Sequence, residues 1–188
     1  DILSEPSAML LIGVDLPFVV VSATSVKNAV ALSLELAIIH MVTLLLSFLL
    51  ARKMKRWQRA VFAVVVSTAT MLFAQRLVVS IFPESVNFIQ FHLYLMAFNG
   101  MTLLQTIFLR EDTSFGRVAA SGAANVLAFS LFMTLAGGIR EYLSAGTLWG
   151  QPLGGSFRLR SAAAPFFGFI LLGFLLAGWR VLSRKVAA

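Results

Sequence analysis

Six apolar stretches, each close to twenty residues long, follow one another along the chain. They lie near residues 8–24, 29–50, 60–80, 88–109, 118–138 and 162–182. A helix needs roughly 20 apolar residues to cross the hydrocarbon core of a bilayer, where a helix also satisfies its own backbone polar groups. The short connections leave no room for a separate soluble domain. We therefore predict an all-α integral membrane protein, with residues 1–188 forming one membrane domain of about six transmembrane helices.

The composition excludes several other classes of protein. Hydrophobic residues make up 59% of the chain and charged residues 12%, whereas a soluble domain averages about 45–50% apolar and about 25% charged residues. The mean hydropathy is +0.90. An ordinary cytosolic enzyme and a disordered chain are excluded on these grounds. The chain has no cysteine, which excludes disulfides and any metal centre held by thiolates.

The basic residues predict an orientation in the membrane. They crowd the loop between the second and third stretches and the C-terminal end: Arg52, Lys53, Lys55, Arg56, Arg59, Arg180, Arg184 and Lys185. By the positive-inside rule this loop and the C-terminus are cytoplasmic, and six spans put the N-terminus on the same side. We predict a bacterial-type inner membrane protein whose basic loop also touches anionic lipid. The net charge of +7 does not indicate nucleic-acid binding, because no aromatic interleaving or known module accompanies it.

Two of the six stretches carry helix-breaking and polar residues near their centres. The first contains Gly13, Asp15 and Pro17, and the fourth contains Asn99 and Gly100. Interrupted helices in corresponding positions of two halves are typical of an internal repeat with a site near the bilayer midplane. We predict two repeats of three helices, about 8–80 and 88–182, with broken half-helices in spans one and four. Since three is odd, the second repeat is inverted relative to the first.

Three segments of the sequence resemble the Rnf/Nqr family of membrane subunits. Gly13-Val14-Asp15-Leu16-Pro17 stands where the family has a Gly-x-Cys-Pro element, and Asn99-Gly100 stands where it has an Asn-Cys pair. The stretch from Gly138-Ile139-Arg140-Glu141 to Gly146-Thr147-Leu148-Trp149-Gly150 is similar to the family's Ile-Arg-Glu…Gly-Thr-Leu-Phe-Gly stretch, in its RnfE/NqrD-like form. The resemblance implies a six-helix subunit that pairs with a sister subunit in an ion-translocating electron-transport complex.

The resemblance also implies a cofactor that this sequence has no ligands to hold. In the family, two mid-membrane cysteines from each paired subunit bind one 2Fe–2S cluster. Here the first position is Asp15 or Leu16, depending on a one-residue shift, and the second is Gly100. We predict no cofactor and no metal site in this chain, with any flavins or clusters in partner subunits.

Three polar residues inside the apolar stretches are candidates for an ion or proton path. Asp15 either carries protons or a cation, or caps the second half of a broken helix. Glu35 either pairs with Lys27, Asn28 or a partner subunit, or takes part in proton or sodium transfer. Asn99 either satisfies unwound backbone in span four or contacts an ion.

Other polar residues have structural explanations. His40 and His92 lie on apolar faces and are predicted to form hydrogen bonds inside the bundle. Arg140 and Glu141 are predicted to pair at the membrane interface and to fix the end of span five, while Gly13 and Pro17 shape the break in span one. No catalytic motif is present, so the chain is predicted to be a non-catalytic subunit of a translocase.

The leading hypothesis is a membrane core subunit of an Rnf/Nqr-like redox-driven ion-translocating complex, paired with an inverted sister subunit and without its own iron–sulfur cluster. The alternative is a secondary transporter or channel-like protein with the same inverted-repeat fold and no redox role. Broken helices around a midplane site suit both.

Overall fold

The computed structural model describes residues 20–51, 53–110, 113–153 and 158–186. Six α-helices account for most of this part of the chain. They are α1 (Val26–Leu46), α2 (Arg56–Ile81), α3 (Pro83–Leu95), α4 (Gly100–Ile107), α5 (Phe115–Ala145) and α6 (Pro165–Val186). A π-helical turn, Ser47–Ala51, continues α1, and 3₁₀ turns occupy Met96–Phe98 and Arg160–Ala163. Thr147–Leu148 and Gln151–Pro152 form a small antiparallel hairpin, β1 and β2.

Local sequence signals define where these helices begin and end. Ser25 is the N-cap of α1, and its hydroxyl accepts a hydrogen bond of 3.2 Å from the backbone N–H of Asn28. At the start of α2, the side chain of Gln58 accepts a hydrogen bond of 3.0 Å from the backbone N–H of Lys55. Gly146 ends α5 with φ 68°, a left-handed conformation that glycine adopts without steric cost.

Three helices in the described residues are long and apolar enough to cross a membrane: Val26–Ala51, Arg56–Ile81 and Phe115–Ala145. They correspond to the second, third and fifth predicted stretches. The fourth stretch is divided between α3 and α4, and the sixth corresponds to α6. The first stretch, near 8–24, lies almost entirely outside the described residues. The chain is therefore a mostly helical protein with several apolar helices of membrane-spanning length.

Helix α1 lies at the centre of the packing. It contacts α5 most extensively, then α2, and also α3 and α4. Leu32, Leu36 and Ile39 of α1 are fully buried in a core that also contains Phe129 and Met133 of α5. In contrast, many large apolar side chains on the outer faces are exposed, including Val65, Leu72, Phe73 and Leu77 of α2 and Leu127 and Leu131 of α5. Exposed apolar faces on long helices are what a lipid environment requires.

The helix termini gather at two opposite ends of the bundle. At one end, the start of α1 meets the end of α5 through Val26 and Glu141, and Lys27 pairs with Glu84 at the start of α3. At the other end, Arg59 near the start of α2 donates hydrogen bonds to the carbonyls of Met54 and Leu109. The basic loop before α2 and the chain after α4 therefore share one end.

Helix α5 extends farther than the apolar pattern predicted. The predicted stretch ends near 138, with Arg140 and Glu141 at the membrane interface where span five ends. In the structure the helix continues to Ala145, so both residues are helical and buried. The extension is possible because each charged group has several backbone partners, as described below.

Candidate functional site at the broken fourth helix

The break between α3 and α4 is the most unusual backbone feature within the apolar part of the bundle. After Leu95 the helix tightens into the 3₁₀ turn Met96–Phe98, and Asn99 then adopts an extended conformation with φ −64° and ψ 123°. A new helix starts at Gly100. Such a break releases backbone donors and acceptors that need other partners in an apolar environment.

Side chains satisfy both sides of this break. The Oδ1 of Asn99 accepts a hydrogen bond of 3.0 Å from the backbone N–H of Thr102, so Asn99 is the N-cap of α4. On the other side, the hydroxyl of Ser67 in α2 donates a hydrogen bond of 2.6 Å to the carbonyl of Ala97. Asn99 and Ala97 are both buried. The break is therefore a supported part of the fold, with its freed backbone groups paired.

The break is connected to a buried imidazole of α1. The hydroxyl of Thr102 lies 3.2 Å from Oδ1 of Asn99 and 2.9 Å from Nδ1 of His40, which is fully buried. The Oδ1 atom only accepts hydrogen bonds, so the Thr102 hydroxyl donates to it and accepts from His40. This assigns the proton of neutral His40 to Nδ1 and leaves Nε2 as an acceptor.

A second set of polar side chains links α4 to α5. Gln105 accepts a hydrogen bond of 2.9 Å from the Asn125 amide and donates one of 2.9 Å to the hydroxyl of Ser121. The side chain of Gln105 also lies close to the His40 ring. Polar contacts therefore join α1, α4 and α5 around the break. The sequence pattern did not predict this hydrogen-bond network.

Glu35, another residue singled out from the sequence, has different surroundings. Its side chain is fully buried in α1, and neither carboxylate oxygen has a hydrogen-bond partner in the described part of the chain. Two of the three expected partners are engaged elsewhere: Lys27 pairs with Glu84 at 3.4 Å, and the Asn28 amide donates to Thr24 at 3.3 Å. At about 100° per residue, Glu35 and His40 lie on opposite sides of α1. The structure therefore does not bring Glu35 to the break.

The two histidines differ in their environments. His40 forms a hydrogen bond inside the bundle, as the sequence analysis expected. The ring of His92 in α3 is partly buried and makes an edge-on contact with the Phe91 ring, with centroids 5.7 Å apart. Its Nδ1 atom has no hydrogen-bond partner in the described residues.

The residues at the break do not fit an iron–sulfur cluster. Cluster ligation needs thiolates, with imidazole as the main substitute. The chain has no cysteine, Gly100 has no ligating side chain, and Nδ1 of His40 is engaged with Thr102. Across the described ranges, no group of three or more His, Asp or Glu side chains is placed to hold a metal ion. The other positions that the family pattern assigns to the first half-helix, Gly13, Asp15, Leu16 and Pro17, lie outside the described residues.

The side chain of Arg140 forms five hydrogen bonds in the described part of the chain. It is fully buried, and its guanidinium donates only to backbone carbonyls. One set of acceptors lies before α1, at Val20 and Ala23, and the other precedes α6, at Ala162, Ala163 and Ala164. A guanidinium has five N–H donors, so it can satisfy several carbonyls at once. Arg140 therefore joins the end of the first stretch to the start of the last.

Glu141 anchors the same end of the bundle through different groups. Its carboxylate accepts hydrogen bonds from the backbone N–H of Val26 at 2.8 Å, the backbone N–H of Gly150 at 2.7 Å and the hydroxyl of Thr147 at 3.0 Å. The expected pairing of Arg140 with Glu141 is therefore wrong. Consecutive side chains on a helix point about 100° apart, so the two residues face different neighbours.

The hairpin after α5 explains the residue types that follow Glu141. Trp149 and Gly150 form its two-residue turn and both have positive φ, 57° and 75°. Turns of this kind match the twist of a tight hairpin, and glycine is favoured in them. The ring of Trp149 packs edge-on against Phe82, with centroids 6.5 Å apart. The Gly-Thr-Leu-Trp-Gly stretch is thus a helix cap followed by a hairpin, held by the Glu141 carboxylate.

Several residues of the polar site were not identified from the sequence, among them Thr102, Gln105, Asn125 and Ser67. Threonine and serine are compatible with any apolar helix, so Thr102 and Ser67 did not indicate a polar site. The Asn125 amide inside the fifth apolar stretch was the one detectable sign of a polar contact between helices.

Comparison with known proteins agrees with the resemblance seen in the sequence. A search of curated proteins finds no match. The model of the Rnf-Nqr subunit membrane protein family matches residues 4–176, which include the broken fourth helix, Arg140, Glu141 and the hairpin. The chain therefore belongs to the Rnf-Nqr family of membrane protein subunits, and it lacks the cysteines with which that family binds its cluster.

Proposed function

We propose that this chain is a membrane core subunit of a redox-driven ion-translocating complex, that it pairs with an inverted six-helix sister subunit, and that it binds no iron–sulfur cluster of its own. Family membership supports a membrane subunit of such a complex. The proposal places the chain in a bacterial-type inner membrane, with both termini and the basic loop before α2 in the cytoplasm.

The hydrogen-bonded break at Asn99 is the observation that carries this proposal. In the family pattern this is a cluster-binding position, and here it is occupied by Asn99, Gly100 and their contact with Thr102 and His40. A set of paired neutral groups stabilises the broken helix without a metal. These contacts support the proposal that the fold and the pairing with a sister subunit persist without electron transfer through this position.

The repeat proposal is supported by the way the two long helices begin. Ser25 is the N-cap of α1 and Ser114 is the N-cap of α5, and each helix continues for more than twenty residues. The broken α3–α4 segment precedes α5 as the first stretch precedes α1. This order is what two three-helix repeats, about 8–80 and 88–182, require.

For ion movement, we propose Asp15, Glu35 and Asn99 as candidate contacts. A carboxyl group within a membrane is costly unless it is paired, hydrated or protonated, which makes it a functional candidate. Glu35 meets this description because it is fully buried without a partner in the described residues.

The test is purification of the tagged chain from its native membrane, followed by identification of the bound subunits and by iron, sulfide and EPR analysis. The expected result is a stable sister subunit and no 2Fe–2S signal that depends on this chain. Replacing His40, the chain's only buried imidazole near the break, with Leu should leave any EPR signal of the complex unchanged. A 2Fe–2S signal that disappears in the H40L complex would contradict the proposal.

A secondary transporter or channel-like protein of the same fold is the second candidate. The observation that favours it is the polar interior around the helix break, which needs no redox partner. It predicts that the chain purifies without flavin- or iron-containing subunits. Stable co-purification with such subunits would exclude it.

A further inference from the structure

Two buried arginines lie at opposite ends of the bundle, Arg59 near the start of α2 and Arg140 near the end of α5. Arg140 is fully buried and Arg59 is 7% exposed. Burying a guanidinium is costly unless acceptors satisfy its N–H donors. The acceptors of these two arginines follow the same distribution along the chain.

Each arginine binds the connection next to its own helix. The Nε–H of Arg59 donates a hydrogen bond of 3.0 Å to the carbonyl of Met54, between α1 and α2. The Nε–H of Arg140 donates one of 3.1 Å to the carbonyl of Ala162, between α5 and α6, and its Nη2 group donates to the next two carbonyls. In both cases this connection joins the second and third spans of one half of the chain.

Each arginine also binds the other half of the chain, where the first span of that half ends. The guanidinium of Arg59 donates to the carbonyl of Leu109, just after α4 at the end of the fourth span. The guanidinium of Arg140 donates to the carbonyls of Val20 and Ala23, at the end of the first span. These contacts join residues 50, 120 and 117 positions apart. The two sets of contacts are therefore reciprocal between the halves.

The positions of the two arginines do not by themselves produce this correspondence. Arg59 follows the connection between its two helices, whereas Arg140 precedes the connection between its own. What they share is the pair of segments that each one joins. An inverted repeat places corresponding connections of its two halves on opposite faces of the membrane, and the two arginines lie at opposite ends of the bundle.

We propose that Arg59 and Arg140 are counterpart anchors, each of which fixes the end of one half's first span against the other half. Each anchor is a positioning device, because it acts through the span that it holds. The inference rests on the proposed function in one respect, since it uses the two-repeat organisation, and it adds the side chains that hold the repeats together at each face.

The anchor at Arg59 positions one half of the broken fourth span. Helix α4 is capped at its start by Asn99 and is held just beyond its end through Leu109. This short helix carries Thr102 and Gln105, which supply polar contacts near the break. Arg59 thus fixes the far end of the helix that presents those groups, although it touches none of them in the described contacts.

Two small buried residues report on the two anchors separately. Thr106, in the last turn of α4, is fully buried, and Ser22, between the two carbonyls held by Arg140, is 2% exposed. The chain has no cysteine, so Thr106→Cys and Ser22→Cys each introduce a single thiol at nearly constant volume. The test uses the full chain in lipid nanodiscs, where both faces are open to solvent. A water-soluble maleimide should label either thiol slowly while Arg59 and Arg140 are unchanged.

The variants Arg59→Lys and Arg140→Lys then loosen one anchor at a time. An ammonium keeps the charge but lacks the planar fork with which a guanidinium binds two separate segments. R59K should raise the labelling rate of T106C about tenfold and leave that of S22C unchanged, because only the end of α4 opens locally. R140K should do the reverse, so each anchor variant is the control for the other. Equal acceleration at both thiols would overturn the proposal, as would no acceleration at either.

A measurement on the unsubstituted chain applies even where a lysine variant fails to fold. With ¹⁵N-arginine labelling, NMR measures how fast each Nε–H exchanges with solvent. The Nε–H groups of Arg59 and Arg140 should exchange far more slowly than that of exposed Arg117, and exchange as fast as Arg117 at either one would contradict the anchor. Failure of the proposed function is recognised separately, because co-purification of the sister subunit is measured on the unsubstituted complex.

Discussion

The carboxylate of Glu141 accepts a hydrogen bond of 2.8 Å from the backbone N–H of Val26, 115 residues earlier in the chain. Val26 is the first residue of α1, whose first-turn N–H groups have no partner within the helix. The same carboxylate also holds Thr147 and Gly150 of the hairpin. One side chain at the end of α5 thus serves as a cap for α1 and as the anchor of the following turn.

We predict that Glu141→Gln destabilises the fold. The amide can accept fewer of the three hydrogen bonds, and it loses the negative charge that favours the N-terminus of α1. The expected loss in free energy of unfolding is about 1–3 kcal/mol, measured by thermal unfolding in detergent through tryptophan fluorescence. Glu84→Gln is the control, because the exposed Lys27–Glu84 pair should contribute only about 0–1 kcal/mol. Equal melting temperatures for the two variants would contradict this role of Glu141.

Arg140→Lys should also destabilise the fold, although the charge is kept. The guanidinium donates to the five carbonyls of Val20, Ala23, Ala162, Ala163 and Ala164. An ammonium has three donors, so at least two carbonyls lose their partner, at about 1–3 kcal/mol each. The expected result is a lower melting temperature and faster proteolysis near Ala162. Arg76→Lys, on an exposed face of α2, should leave both unchanged.

Alanine substitutions at two adjacent glycines of α5 should have different effects on the free energy of unfolding. A Cβ at Gly137 would lie 2.7 Å from the backbone oxygen of Ser25, so α1 and α5 would have to move apart. A Cβ at Gly138 would meet only side-chain carbons at 3.5 and 3.6 Å, which is ordinary contact. Gly137→Ala should therefore lower the free energy of unfolding by about 1–3 kcal/mol. Gly138→Ala should be neutral or raise it by up to about 1 kcal/mol.

The same melting experiment decides this comparison. If Gly137→Ala were as stable as wild type, the close approach of α1 and α5 at Ser25 would be wrong. If both variants were destabilised equally, the effect would come from the loss of glycine itself and not from the contact.

The architecture within the described residues was largely predictable from apolar length. The ends of α1 and α2 lie within four residues of the predicted stretches, because continuous apolar runs bounded by charged or capping residues define a membrane helix. The break at Asn99–Gly100 was also visible, since a capping residue followed by glycine inside such a run favours a new helix start. These features depend on local sequence.

The partners of the buried charges were not predictable in the same way. Neighbouring opposite charges indicated a pair between Arg140 and Glu141, but their partners come from segments up to 120 residues away. Lys27 was one of three expected partners of Glu35, with Asn28 and a partner subunit, and it pairs instead with Glu84 across the end of the bundle. Such contacts depend on which helices pack together, and the lengths of apolar stretches and the spacing of charges do not reveal that.

The absence of cysteine makes the orientation directly measurable. Two exposed residues at opposite ends of the bundle are suitable for single-cysteine substitution: Lys55, in the loop before α2, and Gln151, in the hairpin. The positive-inside rule places the basic loop in the cytoplasm. A membrane-impermeant maleimide added to spheroplasts should therefore label Gln151→Cys at once and Lys55→Cys only after lysis, and the cysteine-free chain is the background control. The reverse pattern would contradict the predicted orientation and would show that the hairpin faces the cytoplasm.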